Sequence, residues 1–377
     1  MKSGWRRHKL ADLLIRSGET AQPAADTEYK EITIRLWGKG VIERGRISGS
    51  AVNGRRFIAR KNQFIASRID ARNGAMGVVP EFLDGALVTN DFPLFEVNQE
   101  LLEPQYMGWL CRTPAFVDLC AHASEGTTNR VRLKENEFLQ LEIQIPDTKE
   151  QKKIVARIDT VHKQLDAADR LRKSATNELH ALCRALVIND PGTKQMAVAE
   201  LVQQRPTDVN VEPDVNYQFA GVYSFGRGVF KGGVKAGTEF AYPKLTRIKA
   251  GDFIYPKLMA WEGALGVVPD KCDGCVVSPE FPVFEIDQTK VLPDVFDVYF
   301  GDPRTWESLQ GGSTGTNARR RRLNPADFLK LKIPVPGMAT QRKLAAIRLH
   351  QSQIQSINTE AESSVVLAAL LNKLLSQ

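Results

Sequence analysis

Asn73-Gly-Ala-Met-Gly-Val-Val-Pro80 returns 189 residues later as Glu262-Gly-Ala-Leu-Gly-Val-Val-Pro269, with six of eight positions identical. Val88-Thr-Asn-Asp-Phe-Pro-Leu-Phe-Glu-Val-Asn98 returns at the same offset as Val277-Ser-Pro-Glu-Phe-Pro-Val-Phe-Glu-Ile-Asp287. Upstream, Gly38-Lys-Gly-Val41 matches Gly226-Arg-Gly-Val229. Downstream, Phe138-Leu-Gln-Leu-Glu-Ile143 matches Phe328-Leu-Lys-Leu-Lys-Ile333. Four blocks in one order, drifting by single residues, make the chain a tandem repeat.

Each repeat has two parts. The first mixes short β-branched and aromatic runs with Gly and Pro, as in Gly251-Asp-Phe-Ile-Tyr255, and holds one helix-like stretch, Tyr106–Ala121 or Asp294–Leu309. The second part is a long helix. Thr148 to Val187 contains neither Gly nor Pro. Its apolar residues step by four and three through Ile154, Ile158, Val161, Leu165, Ala168, Ala175, Leu179, Leu182 and Leu186, with Arg172 as an exception. The C-terminal segment keeps the step through Ile347, Ile354, Ile357, Ala361, Ala368, Leu371 and Leu375, with His350 and Ser364 imperfect. Two such seams are expected to pack as an antiparallel coiled coil, a rod of about 60 Å at roughly 1.5 Å per residue. The expected fold is α+β: two tandem α/β domains, 1–147 and 191–338, with helical spacers at 148–190 and 339–377 and a pseudo-two-fold between them.

The 377 residues suit two or more domains. A 42% hydrophobic and 25% charged composition excludes wholesale disorder. No apolar run reaches the length of a membrane span, about 18 residues, and the N-terminus lacks a secretory apolar region. Five cysteines, an odd number, do not make a disulfide framework. A cytoplasmic protein with reduced thiols is expected.

The net charge of +7 hides a sharper pattern. Residues 30–75 carry eleven Lys/Arg against three acids, while 76–110 carry six acids and no base. Residues 226–260 carry seven bases against two acids, and 262–304 nine acids against three bases. Each repeat thus has a basic lobe interleaved with aromatics, a composition suited to nucleic acid. The candidate DNA contacts are Lys39, Arg44, Arg46, Asn53, Arg55, Arg56, Arg68 and Arg72 in the first repeat, and Arg227, Lys231, Lys235, Lys244, Lys257 and Trp261 in the second. A further cluster follows a Gly/Thr loop in each repeat: Thr127, Asn129, Arg130 and Arg132, then Thr316, Asn317, Arg319, Arg320, Arg321 and Arg322. Backbone N–H groups and hydroxyls beside arginines make a phosphate clamp there.

No catalytic or metal-binding residues stand out. Three of the five histidines fall on the expected helices, and no metal spacing contains any of them. Cys272-Asp-Gly-Cys275 lacks a second ligand pair, and the first repeat has Leu83 and Ala86 there. There is no nucleotide-binding Gly-Lys-Ser/Thr loop and no dinucleotide or S-adenosylmethionine fingerprint. Asp91-Phe-Pro-Leu and Glu280-Phe-Pro-Val are not the Pro-Pro-aromatic motif of amino-methyltransferases; Asp91 and Glu280 read as structural.

Two blocks close the repeats: Leu141-Glu-Ile-Gln-Ile-Pro146 before Glu150-Gln-Lys-Lys-Ile154, and Leu331-Lys-Ile-Pro-Val-Pro336 before Gln341-Arg-Lys-Leu-Ala-Ala346. With the Gly-Thr-Thr-Asn and Gly-Thr-Asn loops, they resemble the passage from target recognition domain to helical spacer in the specificity (S) subunits of type I restriction–modification systems. The second block departs from the pattern, with Ala339-Thr340 before Gln341. The resemblance spans nearly the whole chain. It implies two target recognition domains, each reading half of an asymmetric bipartite site in double-stranded DNA, and helices that set the gap. It also implies two methylation (M) subunits and motor–nuclease (R) subunits as partners. The cofactors S-adenosylmethionine, ATP and Mg would belong to those partners, and this chain would have none and no catalysis. Two other classes compete: a non-catalytic coiled-coil adaptor for proteins, against which the basic lobes count, and a fused enzyme, which would need a cofactor loop.

Overall fold

The computed structural model describes residues 4–125, 132–310, 322–357 and 361–375. Its contacts divide the chain into two compact units, residues 1–170 with 360–377, and residues 171–359. The fold is α+β.

In the first unit, an entry strand Arg6–Lys9 pairs antiparallel with an exit strand Glu142–Ile145. Between them lie two four-stranded sheets. One runs Val41–Ser48, Glu28–Ile34, Ala86–Val88, Phe57–Ala59; the other runs Leu14–Ser17, Leu94–Val97, Phe64–Ala66, Met76–Val78. The apolar runs form strands because each buries one face: Ile32 and Ile34 enter the core while Thr33 between them stays half exposed. Phe64, Phe95, Phe116 and Phe138 fill the center, with Phe64 and Phe138 stacked at 6.0 Å.

The second unit repeats this plan. Lys194–Ala197 pairs with Lys332–Val335. One sheet runs Val202–Gln204, Val283–Ile286, Phe253–Ile254, Gly266–Val267, and the other gains an edge strand, Val209–Asn210. Phe253, Tyr255, Phe284, Phe296, Phe300 and Phe328 make its aromatic center.

The expected helices at 106–121 and 294–309 are each two helices. They span Pro104–Leu110 and Pro114–His122, then Pro293–Phe300 and Pro303–Gln310. Pro114 and Pro303 lack an N–H and cannot continue a helix, but each suits the first turn of a new one.

Thr148–Ile188 is one helix of 41 residues that contributes to both units. In the first unit its N-terminal half packs antiparallel to Ala361–Leu375. Ser363 Oγ donates to Asp169 at 2.9 Å, while Ile154, Val155 and Ile158 share a core with Leu371 and Leu375. In the second unit its C-terminal half packs antiparallel to Met338–Ile357. Thr340 Oγ1 donates to Asp190 at 2.9 Å, and Cys183 and Val187 share a core with Leu344. The apolar seam departs from expectation here. Leu182 is 49% exposed and Ile354 59%, and Cys183 and Val187 are buried instead. Leu179, Leu186 and Ile347 of the expected seam stay packed against the same core; a helix of 3.6 residues per turn drifts against a seven-residue repeat, so Cys183 and Val187 join them there while Leu182 turns out. No described helix is long and apolar enough to cross a membrane.

Candidate nucleic-acid interface

The basic lobe of the first unit is built on the hairpin Glu28–Ile34/Val41–Ser48. Its register shifts between Glu31, opposite Gly45, and Ile32, opposite Glu43, so Arg44 is the extra residue of a bulge. A bulge re-aims the side chain it carries. Arg44 is exposed and, like Lys39 at the hairpin tip and the half-buried Arg72, makes no ion pair among the described residues. Arg46 is held by Glu43 at 3.0 Å and Glu28 at 3.1 Å. Arg55 lies 5.0 Å over the Phe57 ring, and Arg56 donates to the carbonyl of Asn53.

Arg68 differs from these. Its Nε donates to Glu135 at 2.9 Å, and the same carboxylate takes Arg16 at 2.7 Å. Burial pushes the Glu135 carboxyl up, but Arg68 and Arg16 outweigh it and hold it below the usual range. The Arg68 guanidinium is therefore taken up in tying its loop to the helix Glu135–Gln140.

In the second unit the hairpin Asn216–Val222/Val229–Ala236 also shifts register, between Gln218 and Ala220. Lys231 and Lys244 are exposed with no ion pair among the described residues. Lys235 stands 5.9 Å over Phe219, and Arg227 4.8 Å over Tyr223. Two candidates are turned inward: Lys257 Nζ donates to the Pro279 carbonyl at 3.0 Å, and the half-buried Trp261 indole donates to the Leu258 carbonyl at 2.9 Å.

Of the proposed clamps, Thr127, Asn129 and Arg130, and Thr316, Asn317, Arg319, Arg320 and Arg321, lie outside the described residues. Their last members occupy equivalent ion pairs, Arg132 with Asp91 at 3.3 Å and Arg322 with Glu280 at 3.2 Å.

Two features go beyond the sequence pattern. Phe225 belongs to the aromatics interleaved with the second basic lobe, but its counterpart Trp37 is not singled out by that pattern; at the two hairpin tips they are 66% and 71% exposed. Gln151 and Gln341, both buried, make the same three bonds. Gln151 Nε2 donates to the carbonyls of Leu101 and Pro146, and its Oε1 accepts from the Glu103 N–H. Gln341 does so with Lys290, Pro336 and the Leu292 N–H. The Gln of the closing block thus fastens the start of each helix to its head. Where the second block lacks Glu, Thr340 bonds Asp190 instead.

No cluster of three His, Cys, Asp or Glu able to hold a metal occurs among the described residues. Cys272 and Cys275 are free and buried, and burial pushes the Cys272 thiol up.

No family model and no curated protein matches the chain. Solved structures do. The HsdS subunit from Thermoanaerobacter tengcongensis is 19% identical over 100% of this chain and 97% of its own, with a TM-score of 0.53. A chain from a structure concerning complex assembly and conformational transition of the type I R-M system is 19% identical over 100% and 98%, with a TM-score of 0.66. The S subunit of a Type-I restriction-modification system from M. genitalium is 13% identical over 99% and 96%, with a TM-score of 0.52. The chain shares their fold from end to end.

Proposed function

We propose that this chain is the specificity subunit of a type I restriction–modification system, a non-catalytic protein in which each head reads one half of a bipartite DNA site. The observation that carries this is duplication of a basic hairpin on the shared fold. Arg44 in one head, and Lys231 and Lys244 in the other, are exposed cations with no ion pair among the described residues. Lys and Arg in that state neutralise phosphates or read guanine in the major groove. Other candidates such as Arg46 are already engaged.

The helices serve as spacer and as docking ground for methylation subunits and, through them, motor–nuclease subunits. Their exposed apolar residues, among them Leu171, Leu349, Val365 and Val366, suit protein partners. S-adenosylmethionine, ATP and Mg chemistry belongs to those subunits.

The test is selection from random duplexes by the chain copurified with its methylation subunit. Two fixed half-sites separated by a constant gap are expected, and exchanging one head should change one half-site only. Binding without sequence preference, or no stable complex with the methylation subunit, overturns the assignment in favor of a protein adaptor.

A further inference from the structure

Three non-glycine residues among those described have a left-handed φ: Trp37 at 61°, Asn62 at 67° and Phe225 at 64°. Asn enters that region readily, whereas bulky side chains do so at a cost. Trp37 and Phe225 are 188 residues apart, the offset that relates Gly38 to Gly226. The same strained turn has therefore been built twice.

Each turn is locked from outside. The Trp37 N–H donates to the Asn73 carbonyl at 2.8 Å, and Gly38 N–H to Gly74 at 3.2 Å. The Phe225 N–H donates to Glu262 at 2.8 Å, and Gly226 N–H to Gly263 at 2.9 Å. The acceptors open the repeated block that defines the chain. A Cβ on Gly74, itself at φ 74°, would come within 3.4 Å of the Trp37 backbone. The block thus leaves room for the tip and fixes its backbone.

Strain of this kind persists only where the surroundings over-determine it, and it gathers at functional positions. Here it does not serve to bury the ring, because Trp37 and Phe225 are 71% and 66% exposed. Each aromatic is followed by Gly, a cation and Gly: Gly38-Lys39-Gly40 and Gly226-Arg227-Gly228. No acid occurs in 35–42 or 223–231. An exposed ring on a fixed backbone, with a cation two residues on in a turn whose own residues include no acid, matches a stacked polyanion better than an apolar protein face; in the second head the Glu262 carboxylate is turned to Ser224 at 3.5 Å.

We propose that Trp37 and Phe225 are a pair of aromatic wedges, one per head, that insert at a base step of duplex DNA while Lys39 and Arg227 meet the flanking phosphates. The proposal rests on the DNA-reading function above. It adds a contact that senses how easily a step unstacks rather than the base edges themselves.

The test uses the full chain and a duplex it selects, with 2-aminopurine placed at each step in turn. One step per half-site is expected to brighten several-fold on binding. Trp37→Gly should abolish the rise in one half-site and Phe225→Gly in the other, each weakening binding roughly ten-fold. The dependence on salt should stay unchanged, whereas Lys39→Ala should lower its slope by about one. Glycine relieves the strained φ, so both variants should unfold at or above the wild-type midpoint. Three results overturn the wedge while leaving DNA reading intact: no step brightens, both variants bind the duplex at full strength, or glycine lowers the midpoint markedly. A wild-type chain that binds no duplex overturns the wedge together with the function beneath it.

Discussion

The two heads meet their helices at the same place with different chemistry. In the first unit the Trp109 indole donates to Asp159 at 2.8 Å, and its ring meets His162 edge-on at 5.2 Å. In the second unit the equivalent helix offers Asp294 and Asp297 to Arg348, and Asp302 just beyond it faces Arg184 at 2.7 Å. A similar exchange occurs inside the heads. Arg16 and Arg205 are 189 residues apart, yet Arg16 turns to Glu135 and Arg205 to Asp252. The glutamine fastening, in contrast, is the same in both. An ion pair can be rebuilt from several acids, whereas three converging backbone groups accept only a side chain that both donates and accepts.

The largest effect is expected from removing the element the two heads share. Gln151→Leu and Gln341→Leu each strand one buried carbonyl, that of Pro146 or Pro336, at about 1–3 kcal/mol, and two half-buried backbone groups at less. Each should cost about 2–3 kcal/mol in denaturant unfolding, and by similar amounts. A large loss in one unit and none in the other would show that the fastening is not equivalent. Arg348→Met should cost about 1–2 kcal/mol, because the pairs it breaks keep partial solvent contact. That loss should shrink at high salt, as followed by urea melts at two salt concentrations. Trp109→Phe removes one hydrogen bond and should cost about 1 kcal/mol with no salt dependence. The smallest effect is a pH signature. Glu135 is held below its usual pKa, so its contribution is complete above about 4.5 and is lost as pH falls through the folded value. Thermal midpoints taken down an acid series should fall less steeply for Glu135→Gln than for wild type.

Much of the fold is legible because it rests on local chemistry. The repeat, the strand runs around Phe95 and Phe284, and a helix free of Gly and Pro all announce themselves. The seam at Leu182 fails because a heptad pattern does not say whether a helix pair supercoils enough to keep it. The candidate site is legible as a charge pattern but not residue by residue. Arg68, Lys257 and Trp261 carry the right chemistry, yet their partners Glu135, Pro279 and Leu258 become apparent only on folding. The tips of the two hairpins show as the repeated Gly38-Lys-Gly-Val41 and Gly226-Arg-Gly-Val229, but nothing in Leu36-Trp37-Gly38 announces a left-handed tryptophan. That conformation is imposed by a carbonyl 36 residues away.

The division of the chain into units bears on how it is synthesised. Residues 171–359 form an unbroken stretch, nested inside a unit whose two pieces lie on either side of it in sequence. The nascent chain therefore finishes the second unit while the first still lacks Leu371 and Leu375, which complete the core around Ile154 and Ile158. Until they emerge, that apolar stripe is covered on the side of the head alone, and a polypeptide folding from its N-terminus is most exposed to misassembly over that interval. The unit begun first is the last to close.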